Sequence, residues 1–217
     1  MRLYSPEWEA IRDFQYQPKF KDVQFDLAGK EIPEDHGWIL HDALCHLLPW
    51  LDGEAGAGVH PIHGAPTGRD QRLVINRRVK LVLRVPVDRL GDLKILTGAR
   101  IDLGAGEVTL GAAKEKALLP FAYLYAPMVD FGTDDEVAFL EAARAELDAM
   151  GVQGGLIPGK KRKMLLPEGD ILGFSLMLHD IGLEPSLRVQ EQGLGRHRAY
   201  GCGVFVPHKS IKEVAAG

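Results

Sequence analysis

Gly193-Leu194-Gly195-Arg196-His197-Arg198-Ala199-Tyr200-Gly201-Cys202-Gly203 holds four glycines in eleven residues and leads into Val204-Phe205-Val206-Pro207. Glycine relaxes the backbone, and its missing Cβ lets another group come close to the amides. Arg196, His197 and Arg198 add cationic donors to the same run, and Tyr200 offers a ring for stacking. The combination predicts a loop suited to a sugar-phosphate backbone rather than to a flat apolar ligand. A dinucleotide fingerprint needs a helix straight after the glycines and an acid about twenty residues on. Here a strand-like run follows instead, and too little chain remains for a nucleotide-binding crossover.

Working back from that loop, the chain reads as alternating short strands and helices. Val23 to Leu27 alternates apolar and polar residues, as a half-buried strand does. Asp35-His36-Gly37 leads into a helix from about Trp38 to Leu48, with Asp35 as N-cap and Pro49 as its stop. Leu40, Ala43, Leu44 and Leu47 share its apolar face, while Asp42 and His46 lie opposite. Gly58 to His63 predicts a short strand interrupted by Pro61, residues 64–76 a polar loop carrying Arg69 and Arg72, and Val79 to Val85 a further strand. A helix over Val87 to Leu96 and strands around Ile101 to Leu103 and Val108 to Leu110 complete a β-α-β-β-α-β order.

The same order recurs. Ala122 to Val129 is strand-like, and Asp134 to Met150 predicts a helix with Thr133 as cap and Glu136 at capping-box spacing. A Gly/Pro loop, a strand opening on Lys160-Lys161-Arg162-Lys163, the strand Ile171 to Leu178 and a short helix over Ser186 to Gln192 follow. The expected fold is therefore α+β: tandem ferredoxin-like units, residues 1–115 and 116–217, the second ending in the glycine-rich loop.

Length and composition fit a soluble globular protein, with 26% charged and 46% hydrophobic residues and a net charge of −4. That total hides an asymmetry. Residues 1–150 carry 17 Lys and Arg against 24 Asp and Glu, and residues 151–217 carry 9 against 6. A polyanion is expected to dock on the second half. Two distant cysteines, Cys45 and Cys202, with no close spacing and no companion set, argue against a disulfide framework and against a structural zinc site. Without an N-terminal apolar stretch or a membrane-length run, a cytoplasmic protein that meets no membrane is expected.

Two groups of residues carry chemistry. Lys160, Lys161, Arg162 and Lys163 are four consecutive cations in the same part of the chain as Arg196 and Arg198, which favours phosphate binding. Five of the eight histidines fall between residues 36 and 63. Metal ligation was tested on Asp42 with His46 and on His60 with His63, but no His-Glu-x-x-His pattern exists, and no metal or cofactor is expected. Metal-free acid/base chemistry is the alternative, histidine being the side chain that titrates near neutrality. His36, at a helix N-terminus beside Gly37, is placed where a substrate reaches it and where the dipole favours the neutral ring. His46 is the second candidate, oriented by Asp42. His41 reads as a packing residue.

A chain with this order, ending in Gly-x-Gly-x-x-Arg-x-x-Gly-x-Gly, resembles the CRISPR repeat-cleaving endoribonucleases, the sixth Cas family. Ile32-Pro33-Glu34-Asp35-His36-Gly37, Gly58-Val59-His60-Pro61-Ile62 and Val204-Phe205-Val206-Pro207 further resemble its MYXAN-type branch, with Trp38 and His41 standing where tyrosines are expected. The resemblance implies metal-independent cleavage of precursor CRISPR RNA within a repeat hairpin, by 2′-hydroxyl attack on the adjacent phosphate. It implies His36 as catalytic base with His46 next in line. Lys160–Lys163, Arg196, Arg198 and the glycines Gly193, Gly195, Gly201 and Gly203 would bind the RNA. Other Cas subunits of an effector complex are implied as partners, and a non-cleaving repeat-binding subunit is the alternative.

Overall fold

A computed structural model describes residues 16–208, residue 69 excepted. The N-terminal stretch 1–15 that was read for a targeting signal, and Arg69 of the polar loop, lie outside these residues.

Strand β1 (Phe20–Ala28) turns Val23, Phe25 and Leu27 inward, and β6 (Lys80–Pro86) pairs with it through its buried Leu81, Leu83 and Val85. On the other side of β1 runs β8 (Glu107–Ala117), and the edges are β3 (Gly58–Val59) and β7 (Arg100–Asp102). This antiparallel sheet has the order β3-β6-β1-β8-β7. Helix α1 (Gly37–Leu47) packs Leu40 and Leu44 on it. A small sheet joins β2 (Glu31–Pro33), β5 (Arg72–Val74) and β4 (Ala65–Pro66), in the order β2-β5-β4.

Past Ala117 the chain builds a second antiparallel sheet, β10-β11-β9-β12, from β9 (Leu124–Val129), β10 (Gly155–Met164), β11 (Ile171–His179) and β12 (Val206–Pro207). Helices α2 (Glu136–Ala149) and α3 (Leu183–Gln192) accompany it. Its core is largely aliphatic, with Phe131, Phe139 and Phe174 following one another through it at ring distances of 5.3 and 4.9 Å. In both sheets the strand that opens the half lies inside the sheet. The fold is mixed α+β with antiparallel sheets of the ferredoxin-like type.

Four local expectations are corrected. Residues 87–96 form two 3₁₀ turns, Val87–Arg89 and Asp92–Leu96, instead of a helix. Gly91 weakens a helix there, and the buried Leu93 and Leu96 are three apart, the spacing a 3₁₀ turn superposes. The strand expected over Gly58 to His63 stops at Val59: His60 N still donates to Val82 O, but Pro61 has no N–H to continue. The cap of α2 is Asp135, whose carboxylate accepts from Ala138 N at 2.8 Å, while Thr133 Oγ1 caps only Asp135 N. Finally, β10 begins at Gly155, so the Lys160–Lys163 run lies in the strand's second half. Pro158 is tolerated because β10 is an edge strand, and a register shift between Pro158 and Lys161 bulges it.

Candidate active site

Between the first half and the β10–β11 hairpin lies a cleft of about 710 Å³. One wall is the Asp35–Gly37 loop with the segment His60–His63; the other includes Arg162, Lys163 and Tyr200. The close fit of the walls explains the glycine that opens α1. A Cβ on Gly37 would lie 2.7 Å from both Met164 Cε and Tyr200 O. Asp35 is not the N-cap of α1; its carboxylate accepts from Leu165 N at 2.6 Å across the cleft and ties the loop to the hairpin.

His36 is buried, and both ring nitrogens are committed to backbone. Nδ1 donates to Pro33 O at 3.0 Å, and Nε2 accepts from Ile62 N at 2.9 Å. These partners fix one neutral tautomer, and burial holds its pKa below the usual histidine range. The neutral ring expected from the sequence is therefore present, but not the open approach, because the ring is spent on holding the 60–63 segment. His46 is corrected as well. It sits exposed on α1 away from the cleft, its Nδ1 at 2.8 Å from the Asp42 carbonyl and 3.8 Å from the Asp42 carboxylate. The imidazole that sequence reasoning weighed only as a metal ligand, His63, lines the cleft. Its ring has no hydrogen-bond partner among the described residues, and desolvation lowers its pKa.

Behind the cleft a charged cluster joins the halves. Arg84 is fully buried; its guanidinium makes two bonds to Asp22, at 2.8 and 3.0 Å, and donates to the carbonyls of Gln190 and Phe205, each at 2.8 Å. Burial raises the Asp22 carboxyl, yet His60 and Arg84 outweigh it and hold the pKa well below the usual range. Arg198 is not presented to a ligand. It turns inward, donating to Glu191 O at 2.6 Å, with Nε buried and unpartnered. Burial, followed by the neighbouring Arg84 charge, pulls its pKa down to about 9.

The glycine-rich loop is likewise not an open cradle. Gly193 N donates to Val189 O, Arg196 N to Asp130 O, and Gly203 N to Met128 O, at 2.7–2.9 Å. Gly195 N is taken by the Glu146 carboxylate at 2.9 Å. Gly203 has φ +66°, and a Cβ there would lie 1.9 Å from Leu194 O. Tyr200 stacks on His197 at 5.6 Å and meets His41 edge-on at 4.6 Å, so its half-buried ring already has two aromatic neighbours. Arg196 is exposed but pairs with the buried Asp130 at 3.3 Å, and Asp130 also holds His197 Nδ1 at 2.7 Å. Along β10, Lys161 pairs with Asp134 at 2.7 Å and Lys163 with Asp170 at 2.5 Å. Lys160 and Arg162 are exposed and have no acidic partner among the described residues.

Comparison with known proteins adds a family. The family model described as Cas6 Crispr matches residues 22–210. The chain is 37% identical over 189 residues to a CRISPR-associated endonuclease Cas6 of Myxococcus xanthus (strain DK1622), covering 87% of this chain and 81% of that protein. Among solved structures it resembles an RAMP protein binding different RNA substrates, at TM-score 0.68 and 12% identity, over 87% of this chain and all of the other. It also resembles a Cas6-related protein from Pyrococcus furiosus, at TM-score 0.65 and 13% identity, over 88% of this chain and 99% of the other.

Proposed function

The chain belongs to the Cas6 family, and from that premise we propose that it is a metal-independent endoribonuclease that cleaves precursor CRISPR RNA within the repeat. The observation that carries this reading is the cleft that sets an unpartnered imidazole, His63, on one wall against Arg162 and Lys163 on the other. A scissile phosphate between them meets a neutral base and the unpaired charge of Arg162, the two elements that metal-free phosphate-ester cleavage calls for.

In the proposed reaction His63 takes the proton of the ribose 2′-hydroxyl, and the oxygen attacks the adjacent phosphorus. The bond to the 5′-oxygen breaks, that oxygen takes a proton from solvent water, and the products carry a 2′,3′-cyclic phosphate and a 5′-hydroxyl. Arg162 offsets charge on the non-bridging oxygens. His36 acts as a positioning residue through the Ile62 amide. The exposed cations Lys160 and Arg162, with Arg196 along the hairpin's flank, hold the repeat. DNA binds but is not cut, since it lacks the nucleophile.

The test is single-turnover cleavage of the cognate repeat RNA in EDTA, with end-group analysis. His63→Ala is expected to slow cleavage by about 10²–10⁴-fold, the usual scale for a lost acid/base group, while His46→Ala leaves the rate unchanged. A 2′-deoxy residue at the cut site should abolish cleavage. Wild-type speed in His63→Ala would remove the assignment of the base, and a 3′-hydroxyl product would remove the mechanism. A binding-only subunit is the second reading, favoured by the full commitment of His36 to backbone; tight binding without any cut would establish it.

A further inference from the structure

Helix α1 carries His41 and Cys45 four residues apart on one face, and the turn after Pro49 folds Asp52 back onto them. The return is fixed by backbone: Leu48 N donates to Leu44 O at 2.8 Å and Leu51 N to Leu48 O at 3.0 Å. His41 Nε2 thus lies 3.2 Å from Cys45 Sγ and 3.5 Å from Asp52 Oδ1, and the three donor atoms all fall within 4.8 Å of one another. Zinc bonds of about 2.0–2.3 Å to nitrogen, sulfur and oxygen, set at tetrahedral angles, put neighbouring donors about 3.4–3.6 Å apart. The two distances to His41 Nε2 are already close to those of a bound site. Among the described residues this is the group of His, Cys and acidic side chains that meets such a spacing.

We propose that His41, Cys45 and Asp52 form a three-ligand site for a zinc-class divalent cation, with its fourth position open to solvent on the Asp52 side. A thiolate and an imidazole favour zinc or cobalt over magnesium and calcium, which prefer sets made of oxygen alone. His41 is buried and backed by the Tyr200 ring, so it is held in place before the ion arrives; Asp52 is exposed and leaves a route of entry. The ion stitches α1 to its following turn and fixes the ring on which Tyr200 of the glycine-rich loop packs. The ion takes no part in the cleavage chemistry; it reaches the cleft only through the packing of His41 on Tyr200.

The experiment titrates the chelator-stripped full chain with Co²⁺ and reads the absorption spectrum. One equivalent should give a thiolate-to-cobalt charge-transfer band and the intense visible bands of a tetrahedral ion, both erased by Zn²⁺ and untouched by Mg²⁺. Cys45→Ser should lose the charge-transfer band. Asp52→Asn, a change at an exposed position that leaves folding intact, should weaken binding by about tenfold or more, the loss of one ligand. The proposal fails if wild type shows no thiolate band, if the band survives Cys45→Ser, or if Asp52→Asn binds as tightly as wild type.

Discussion

Two cationic stretches of this chain look alike in composition and behave oppositely in space. The loop 193–203 turns its second arginine inward, spends its amides on β9, α2 and its own turns, and packs glycines where a Cβ would strike backbone. The run 160–163 sits on an edge strand and leaves Lys160 and Arg162 in solvent. Glycine density therefore reports how closely something approaches the backbone, and in this loop that something is the protein itself. Four cations in a strand cannot all turn the same way, so acids neutralise two of them and two remain for a ligand.

The sharpest way to break this contrast is to remove the buried anchor behind the loop. Arg84→Ala should cost about 3–5 kcal/mol in denaturant unfolding, the usual price of stranding one partner of a buried ion pair, here Asp22. Next, Gly203→Ala should cost about 3 kcal/mol by the same measurement, because a left-handed residue and a contact with Leu194 O are imposed together. If that variant is as stable as wild type, the loop is looser than described. On the hairpin the expectation reverses. Replacing Lys160 and Arg162 by Ala should leave stability within about 0.5 kcal/mol, while repeat RNA binds several-fold more weakly with a shallower salt dependence. The smallest effect concerns pH. His36 and His60 have folded-state pKa values below their unfolded values near 6.5, so the unfolded chain binds more protons on acidification. Stability should be fully present above pH about 6.5 and fall as pH drops toward the folded pKa values; His36→Gln should flatten part of that slope.

Much of the fold was legible because it follows local rules. Alternation marked β1 and β6, and a long amphipathic period marked α2. The failures were local as well: a glycine broke the expected helix at 87–96, and an edge position let Pro158 into a strand read as loop. The site was harder to read. His36 was singled out for its place beside Gly37, yet only the approach of Ile62, 26 residues on, shows that its ring is occupied. His63 carried a signal in its His60–His63 pairing, but that was weighed for metal and not for a free base. The His41–Cys45 spacing is equally visible in the sequence, but the third ligand, Asp52, is brought to it only by the turn after Pro49.

The sequence by itself determined the alternation of strands and helices, the cationic bias of the second half and the family pattern, because periodicity, charge and motif are properties of neighbours along the chain. Which cations face water, which imidazole keeps a lone pair and which carboxylate meets a thiol were decided only by the tertiary structure. Each depends on a partner brought from tens of residues away, and burial beside that partner sets whether a polar group is spent or available.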